Sequence, residues 1–95
     1  MRTVITVNEY LGGKVKSLGF ERDGTLFTAG VLSAGDYSFD TEKEEHITVT
    51  VGDFEIRPPG AEWRAVKTGD TVIIPANSTF DLKVGKPAAY VCMYK

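Results

Sequence analysis

The 95-residue sequence predicts an all-β fold, a single small β-barrel domain spanning residues 1–95. Three observations lead there. Apolar residues recur at every second position through most of the chain, the period of a half-buried strand. Clusters of Gly, Pro, Asn and Asp interrupt these runs about every 8–12 residues, the spacing of a sandwich or barrel. No segment sustains the 3.6-residue apolar period of an amphipathic helix, so helix content is expected to be near nil.

The elements follow in order. Thr3-Val4-Ile5-Thr6-Val7 alternates as a strand, and Val15, Leu18 and Phe20 lie in the next one. Asp23-Gly24 is a hairpin turn signal, because both central positions of a type I′ turn need positive φ. Leu26 to Leu32 reads as a strand, and Ala34-Gly35-Asp36 as a tight turn into the alternating Tyr37, Phe39 and Thr41. After the charge cluster Glu42-Lys43-Glu44-Glu45, Ile47, Val49 and Val51 share one face, ending at Gly52-Asp53. Phe54 and Ile56 continue until Arg57-Pro58-Pro59-Gly60 breaks the pattern. Trp63 to Val66, Thr71 to Ile74, Phe80 to Val84 and Ala88 to Tyr94 complete about eight or nine strands. A barrel this small leaves edge strands, and the Thr3–Val7 segment is suited to pair with a second subunit, which predicts a homodimer.

Composition excludes several classes of partner. Eleven Lys or Arg against thirteen Asp or Glu give a formal charge of −2, with no electrostatic basis for nucleic acid or an anionic membrane. The longest strongly apolar run, Val72-Ile73-Ile74, is far below the ~20 residues of a membrane span. Met1 to Val7 reads as a strand and not as the apolar region of an export signal, and the single cysteine forms no intrachain disulfide; both point to a cytoplasmic protein.

Candidate chemistry is sparse. With one histidine, His46, and one cysteine, Cys92, the chain lacks the three ligands a catalytic transition metal needs, so no metal is expected. Cys92 lies in a strand without a basic neighbour to lower its pKa and reads as a buried small filler. Ser17, Ser33, Ser38 and Ser78 have no Gly-x-Ser-x-Gly setting. Gly12-Gly13-Lys14 is not a P-loop, but Lys14 and Lys16 share a strand face with Ser17 following; they are either a solvated face or an anion site at the barrel mouth. Tyr37 and Phe39 share one face, and Tyr90 and Tyr94 another, with Cys92 between. These rings and Phe80 either fill a core or line a cavity that stacks on a flat ligand. Glu45 is the residue hardest to explain by structure alone: facing inward, its carboxylate must be paired, hydrogen-bonded or neutralised.

The spacing sharpens that point. Glu45, six residues, Gly52, then Gly69, five residues, Pro75 resembles the skeleton of the two motifs of the cupin (RmlC-like) barrel. Metal-binding cupins carry a His-x-His pair before the glutamate and a histidine after the proline. Here those positions fall on Ser38 and Asp40 or on Phe39 and Thr41, and on Phe80. In that frame Glu45 points inward and alternation sends His46 outward.

Asn8-Glu9-Tyr10, Gly13-Lys14-Val15-Lys16-Ser17-Leu18-Gly19-Phe20, Gly35-Asp36-Tyr37-Ser38-Phe39, Pro75-Ala76-Asn77-Ser78-Thr79-Phe80 and Tyr90-Val91-Cys92-Met93-Tyr94 resemble a small bacterial cupin family described as pyrimidine/purine nucleoside phosphorylases. Leu11 stands where that family often has phenylalanine, and Ile47 where it has methionine. The resemblance implies phosphorolysis: inorganic phosphate, the co-substrate, displaces the base of a nucleoside to leave a pentose 1-phosphate, with no cofactor. It implies Glu45 at the ribose hydroxyls or the developing cation, Lys16 with Lys14 and Ser17 at phosphate, and Tyr37, Phe39, Phe80 or Tyr94 around the base. Stacking reads flatness more than edge pattern, which suits broad acceptance of purines and pyrimidines. Two other classes stay open: a metal-free cupin module that binds a small molecule without chemistry, and a dimerisation domain with a filled barrel.

Overall fold

The computed structural model describes residues 4–95 and contains ten strands and one short 3-10 turn. A six-stranded antiparallel sheet has the order β1-β2-β3-β10-β5-β8, formed by Thr6–Tyr10, Val15–Arg22, Thr25–Leu32, Ala88–Tyr94, Glu45–Val51 and Thr71–Ile74. A four-stranded sheet has the order β4-β9-β6-β7, formed by Gly35–Asp40, Thr79–Val84, Asp53–Arg57 and Arg64–Lys67. No ladder joins the two sheets among the described residues, so the barrel is an open, two-sheet sandwich. The 3-10 turn Leu11–Gly13, between β1 and β2, is the helical content that strand periodicity did not predict.

The hairpin signal at Asp23-Gly24 forms the β2–β3 turn, with φ of 52° and 80°, between the paired residues Arg22 and Thr25. The motif glycines have a different task. Gly52, at φ 88°, is the single residue between β5 of the large sheet and β6 of the small one. Gly69, at φ 96°, turns the chain from β7 back to β8. The two corners are bonded to each other: Thr68 N donates to Gly52 O (3.0 Å) and Gly52 N to Thr68 Oγ1 (3.1 Å). Gly69 N donates to Val49 O (2.8 Å), and Val49 N to Asp70 O (3.0 Å). A side chain at either glycine would adopt a conformation that L-residues rarely reach.

The other end of the sandwich is tied by the crossings β4–β5 and β8–β9. The buried Thr41 donates its hydroxyl to Pro75 O (2.7 Å), its backbone N–H to Ser78 O (2.8 Å), and accepts from Ser78 N (3.0 Å). Between the two ends, alternating residues interleave. Val15, Leu32, Ile47, Val49, Val72, Ile74, Ala88 and Cys92 come from the large sheet, and Tyr37, Phe54, Ile56, Val66, Phe80, Leu82 and Val84 from the small one. Burying a residue of this size stabilises by about 1.5–3 kcal/mol, which is why the period-two pattern fixes which face is inside.

Ile56 is fully buried, so Ile56→Ala is expected to lower stability by about 2–5 kcal/mol, seen as a lower denaturant midpoint at unchanged slope. Gly52→Ala, which forces a methyl to positive φ and to 3.4 Å from the Ala88 Cβ, is expected to cost about 1–2 kcal/mol in the same assay.

Candidate functional site

The aliphatic packing gives way to rings and polar groups at one place between the sheets. A cavity of about 120 Å³ is lined by Glu45 and Asp40, by the rings of Tyr10, Phe39, Phe80, Tyr90 and Tyr94, and by Leu32, Ile47, Phe54 and Leu82. It lies where β1, an edge of the large sheet, approaches β4, an edge of the small one. The rings of Tyr10 and Phe39 meet edge to face across that seam at 5.8 Å, and Phe39 packs in turn on Phe80 at 5.8 Å.

Glu45 is the first residue of β5, directly after the chain crosses from the small sheet. A register shift opposite Ala89 and Tyr90 skips Thr50, so Val51 faces out and does not share the face of Val49 and Ile47 that the sequence suggested for it. From Val49 back, alternation carries Ile47 and Glu45 to the inner face, and the carboxyl faces the cavity half-buried. Burial raises its pKa above the usual carboxylate value, and a hydrogen bond from Cys92 partly offsets that. The Cys92 thiol lies 3.5 Å from Glu45 Oε1 and donates to it. Cys92 is buried, and burial with the adjacent Glu45 charge pushes its own pKa up, so it stays a thiol at neutral pH. The expectation of a small buried filler therefore covers only part of its contacts.

Two tyrosines of β10 flank that pair. The Tyr94 hydroxyl is 3.2 Å from Thr28 Oγ1, and burial raises its pKa. Tyr90 is pushed up to about 12, mainly by burial and then by its neighbours Cys92, Tyr10 and Glu45, while the Ser17 hydroxyl pulls it down. Both phenols are neutral donors at physiological pH.

The structure thus brings Glu45, Phe39, Phe80 and Tyr94 to one cavity, and places the other predicted residues elsewhere. Tyr37 is buried in the core, and its hydroxyl donates to Ser33 O (2.7 Å) and Ala34 O (3.2 Å). Lys16 points to the outer face of the large sheet, 3.5 Å from Glu9 Oε1, since alternation separates it from its inward neighbours Val15 and Ser17. Lys14 is exposed ahead of β2 and makes no ion pair among the described residues. Ser17 is buried on the inner face, where its Oγ accepts from Asn8 Nδ2 at 3.2 Å. His46 points outward and bonds Glu44 Oε2 at 2.7 Å.

At the positions that correspond to the metal ligands of other cupins, Phe39 and Phe80 line the cavity, Thr41 ties two crossings and Ser38 is exposed. Among the described residues no three His, Cys, Asp or Glu side chains converge. Sequence reasoning left Tyr10, Tyr90 and Asp40 out of the site. The signal for Tyr90 was present in its sharing a strand face with Cys92 and Tyr94. Nothing in the sequence shows that Tyr10, on an edge strand, folds over the seam.

Two packed antiparallel sheets, crossed at glycine corners around an interior pocket, define a cupin-type fold. The chain superposes on a cupin-2 domain from Rhodospirillum rubrum with a TM-score of 0.75 at 17% identity, covering 94% of this chain and 68% of that one. It is far closer to a crystal structure of a protein of unknown function from Vibrio parahaemolyticus, with a TM-score of 0.94 and 36% identity over 98% of this chain and 100% of that one. The family model described as pyrimidine/purine nucleoside phosphorylase matches residues 5–94. Proteins of that name from Teredinibacter turnerae and Photobacterium profundum are 44% and 40% identical, over 96% of this chain and 98% and 99% of theirs. The chain belongs to the pyrimidine/purine nucleoside phosphorylase family.

Glu45 gives a pH signature. Unfolded, it titrates near 4.5; folded, it titrates higher, so between the two values the folded state binds more protons. Stability therefore falls as pH rises through that window. Below 4.5 the carboxyl is protonated in both states and contributes no penalty; above the folded value the penalty is complete. Glu45→Gln is expected to raise the melting temperature relative to the native protein at pH 8 and not at pH 4. A difference that stays constant with pH would show that Glu45 does not titrate in a desolvated site.

Proposed function

We propose that the protein is a nucleoside phosphorylase that transfers the pentose of purine and pyrimidine nucleosides to inorganic phosphate, without a metal or other cofactor. The observation that carries this reading is the half-buried carboxyl of Glu45 inside a ring-lined cavity, in a chain of this family. In the reaction a phosphate oxygen bonds to the anomeric carbon as the C–N glycosidic bond breaks. The electron pair leaves with the base, which takes up a proton.

The rings and the Glu45 carboxyl each have a task in that reading. Phe39, Phe80 and Tyr94, joined by Tyr10 and Tyr90, stack on or border the base. Glu45 accepts from the ribose hydroxyls or stands beside the positive charge that develops on the sugar, a task carboxylates perform in glycosidases. A cavity of about 120 Å³ is smaller than the roughly 300 Å³ at the lower end of ordinary small-molecule sites. It therefore takes the flat base, with the sugar and phosphate towards the mouth. Lys16 and Ser17 are engaged with Glu9 and Asn8, which makes Lys14 the better candidate of the three for phosphate. Tyr37 supports the site from the core and does not stack on the base.

One observation favours the second reading, a cupin module that binds a flat small molecule without chemistry: the cavity lining contains no Lys or Arg among the described residues. The two readings part on phosphate dependence.

We also place the protein in the cytoplasm, where its one thiol stays reduced, and propose that it acts as a homodimer. No described helix is long and apolar enough to cross a membrane. The outer face of the large sheet carries the cross-strand row Val7, Leu18, Ala29 and Val91, flanked by Phe20, Phe27, Met93 and Ile73 on one side and Val31 and Val51 on the other. Val7 is 67% exposed and Val31 57%, and this apolar patch, bordered by Lys16 beside Val31 and by His46 between Met93 and Ile73, suits an isologous contact with a second copy. Of the Thr3–Val7 segment expected at the contact, Thr3 lies outside the described residues, while Val4 and Ile5 lead into the edge strand β1.

Pure protein is expected to release base from uridine and inosine only when phosphate is present, and to do so in a chelator. Glu45→Gln is expected to lower kcat on the order of 10²-fold while the protein stays folded. Saturable nucleoside binding without phosphate-dependent release would replace the enzyme by the binding module. For the assembly, Val91→Glu is expected to convert a dimer to monomer in sedimentation equilibrium; an unchanged mass would remove the large sheet from the interface.

A further inference from the structure

The inner face of the large sheet contains one row in which each residue sits opposite the next on the neighbouring strand: Asn8 on β1, Ser17 on β2, Gly30 on β3 and Tyr90 on β10. Gly30 is the only one of the four without a side chain, and the ring of Tyr90 occupies the space this leaves. A Cβ built on Gly30 would lie 2.5 Å from both Cε1 and Oη of Tyr90, a separation real Cβ atoms essentially never show. Gly30 has no left-handed φ and lies mid-strand, so backbone conformation does not demand glycine there. What demands it is the close approach of the ring.

Neighbouring strands are about 4.8 Å apart, so a tyrosine lying across β3 carries its hydroxyl to β2. That brings it towards the buried Ser17, whose Oγ accepts from Asn8 Nδ2 at 3.2 Å. The flattened ring is part of the wall of the cavity that holds Glu45. Any side chain at Gly30 lifts that ring off β3, and the free space on its other side is the cavity.

We propose that Gly30 is a specificity-determining position that sets the depth of the cavity through Tyr90, and that this recess is what admits the larger bicyclic purine as well as the single-ring pyrimidine. The inference rests on the nucleoside reading above. It makes Gly30 a positioning residue, since it acts on the ligand only through the Tyr90 ring.

The test is the ratio of kcat/KM for phosphate-dependent release from inosine to that from uridine, measured for the native protein, Gly30→Ala, Tyr90→Leu and the double variant. Gly30→Ala is expected to lower the ratio by about 10-fold or more, the scale at which one methyl discriminates in a packed pocket. In the Tyr90→Leu background the same methyl meets no ring, and the ratio is expected to change by less than about 2-fold. An unchanged ratio in Gly30→Ala, or an equal change with and without the ring, overturns the proposal. If Gly30→Ala does not fold, Tyr90→Leu alone, which removes the ring that fills the Gly30 recess, is expected to shift the inosine-to-uridine ratio of kcat/KM, and an unchanged ratio would overturn the proposal. If the native protein releases no base, it is the phosphorylase reading that fails. Equilibrium binding of inosine and uridine to native protein and Gly30→Ala then decides the recess on its own, with a shifted affinity ratio supporting it and an unshifted one, or no binding by the native protein, overturning it.

Discussion

The structure depends on the paired corners at Gly52 and Gly69. Each lets the chain leave one sheet for the other with a single residue at positive φ, and four backbone or hydroxyl hydrogen bonds hold the two crossings together. Val49, bonded to Gly69 and Asp70 just past the register shift at Thr50, sets the phase of β5, and alternation from there fixes the direction of the residues back to Glu45. Val49 and Ile47 face in, His46 and Thr48 face out, and Glu45 enters the cavity. A slip of one residue would put the histidine inside and the carboxylate on the apolar outer face. The direction of the carboxyl is thus set where Val49 is bonded to the Gly69 corner.

Around that carboxyl the polar groups are few. Among the described residues no buried side-chain nitrogen or oxygen lacks a hydrogen bond. The Cys92 thiol donates to Glu45, the Thr28 and Tyr94 hydroxyls bond each other, and Asn8 donates to Ser17. In a medium of low dielectric such pairings are worth more than in water, and their absence costs more. The hydroxyls and thiol remain uncharged because burial raises their pKa values. Burial raises the pKa of the Glu45 carboxyl in the same way, so it favours the protonated acid.

Much of this was readable in the residues themselves. Period-two alternation gave the strands and Asp23-Gly24 the hairpin, because each is a local rule with a local cause, while the inward carboxyl came from the resemblance of the Glu45–Gly52 spacing to the cupin motif. The failures have a common origin too. Lys16 and Ser17 are adjacent in sequence, yet β2 directs them to opposite faces, so proximity along the chain suggested an anion site that the fold divides. Tyr37 and Phe39 share a face, but the hydroxyl of Tyr37 is taken up by the β3–β4 turn while Phe39 reaches the cavity. Tyr10 was missed because its role depends on two sheet edges meeting, a relation between residues 10 and 39 that no window of sequence contains.

The seam between those edges has a kinetic meaning. β1 and β4 approach each other without a shared ladder, and what joins them beside the cavity is the edge-to-face contact of Tyr10 with Phe39. Parting two rings forgoes about 0.5–1.5 kcal/mol of aromatic attraction, and no backbone hydrogen bond breaks. Side-chain rotations of exposed residues run on picosecond to nanosecond timescales, whereas domain and lid motions take microseconds to milliseconds. Opening this seam is thus a side-chain event that leaves both sheets intact, faster by orders of magnitude than a lid that must move as a body.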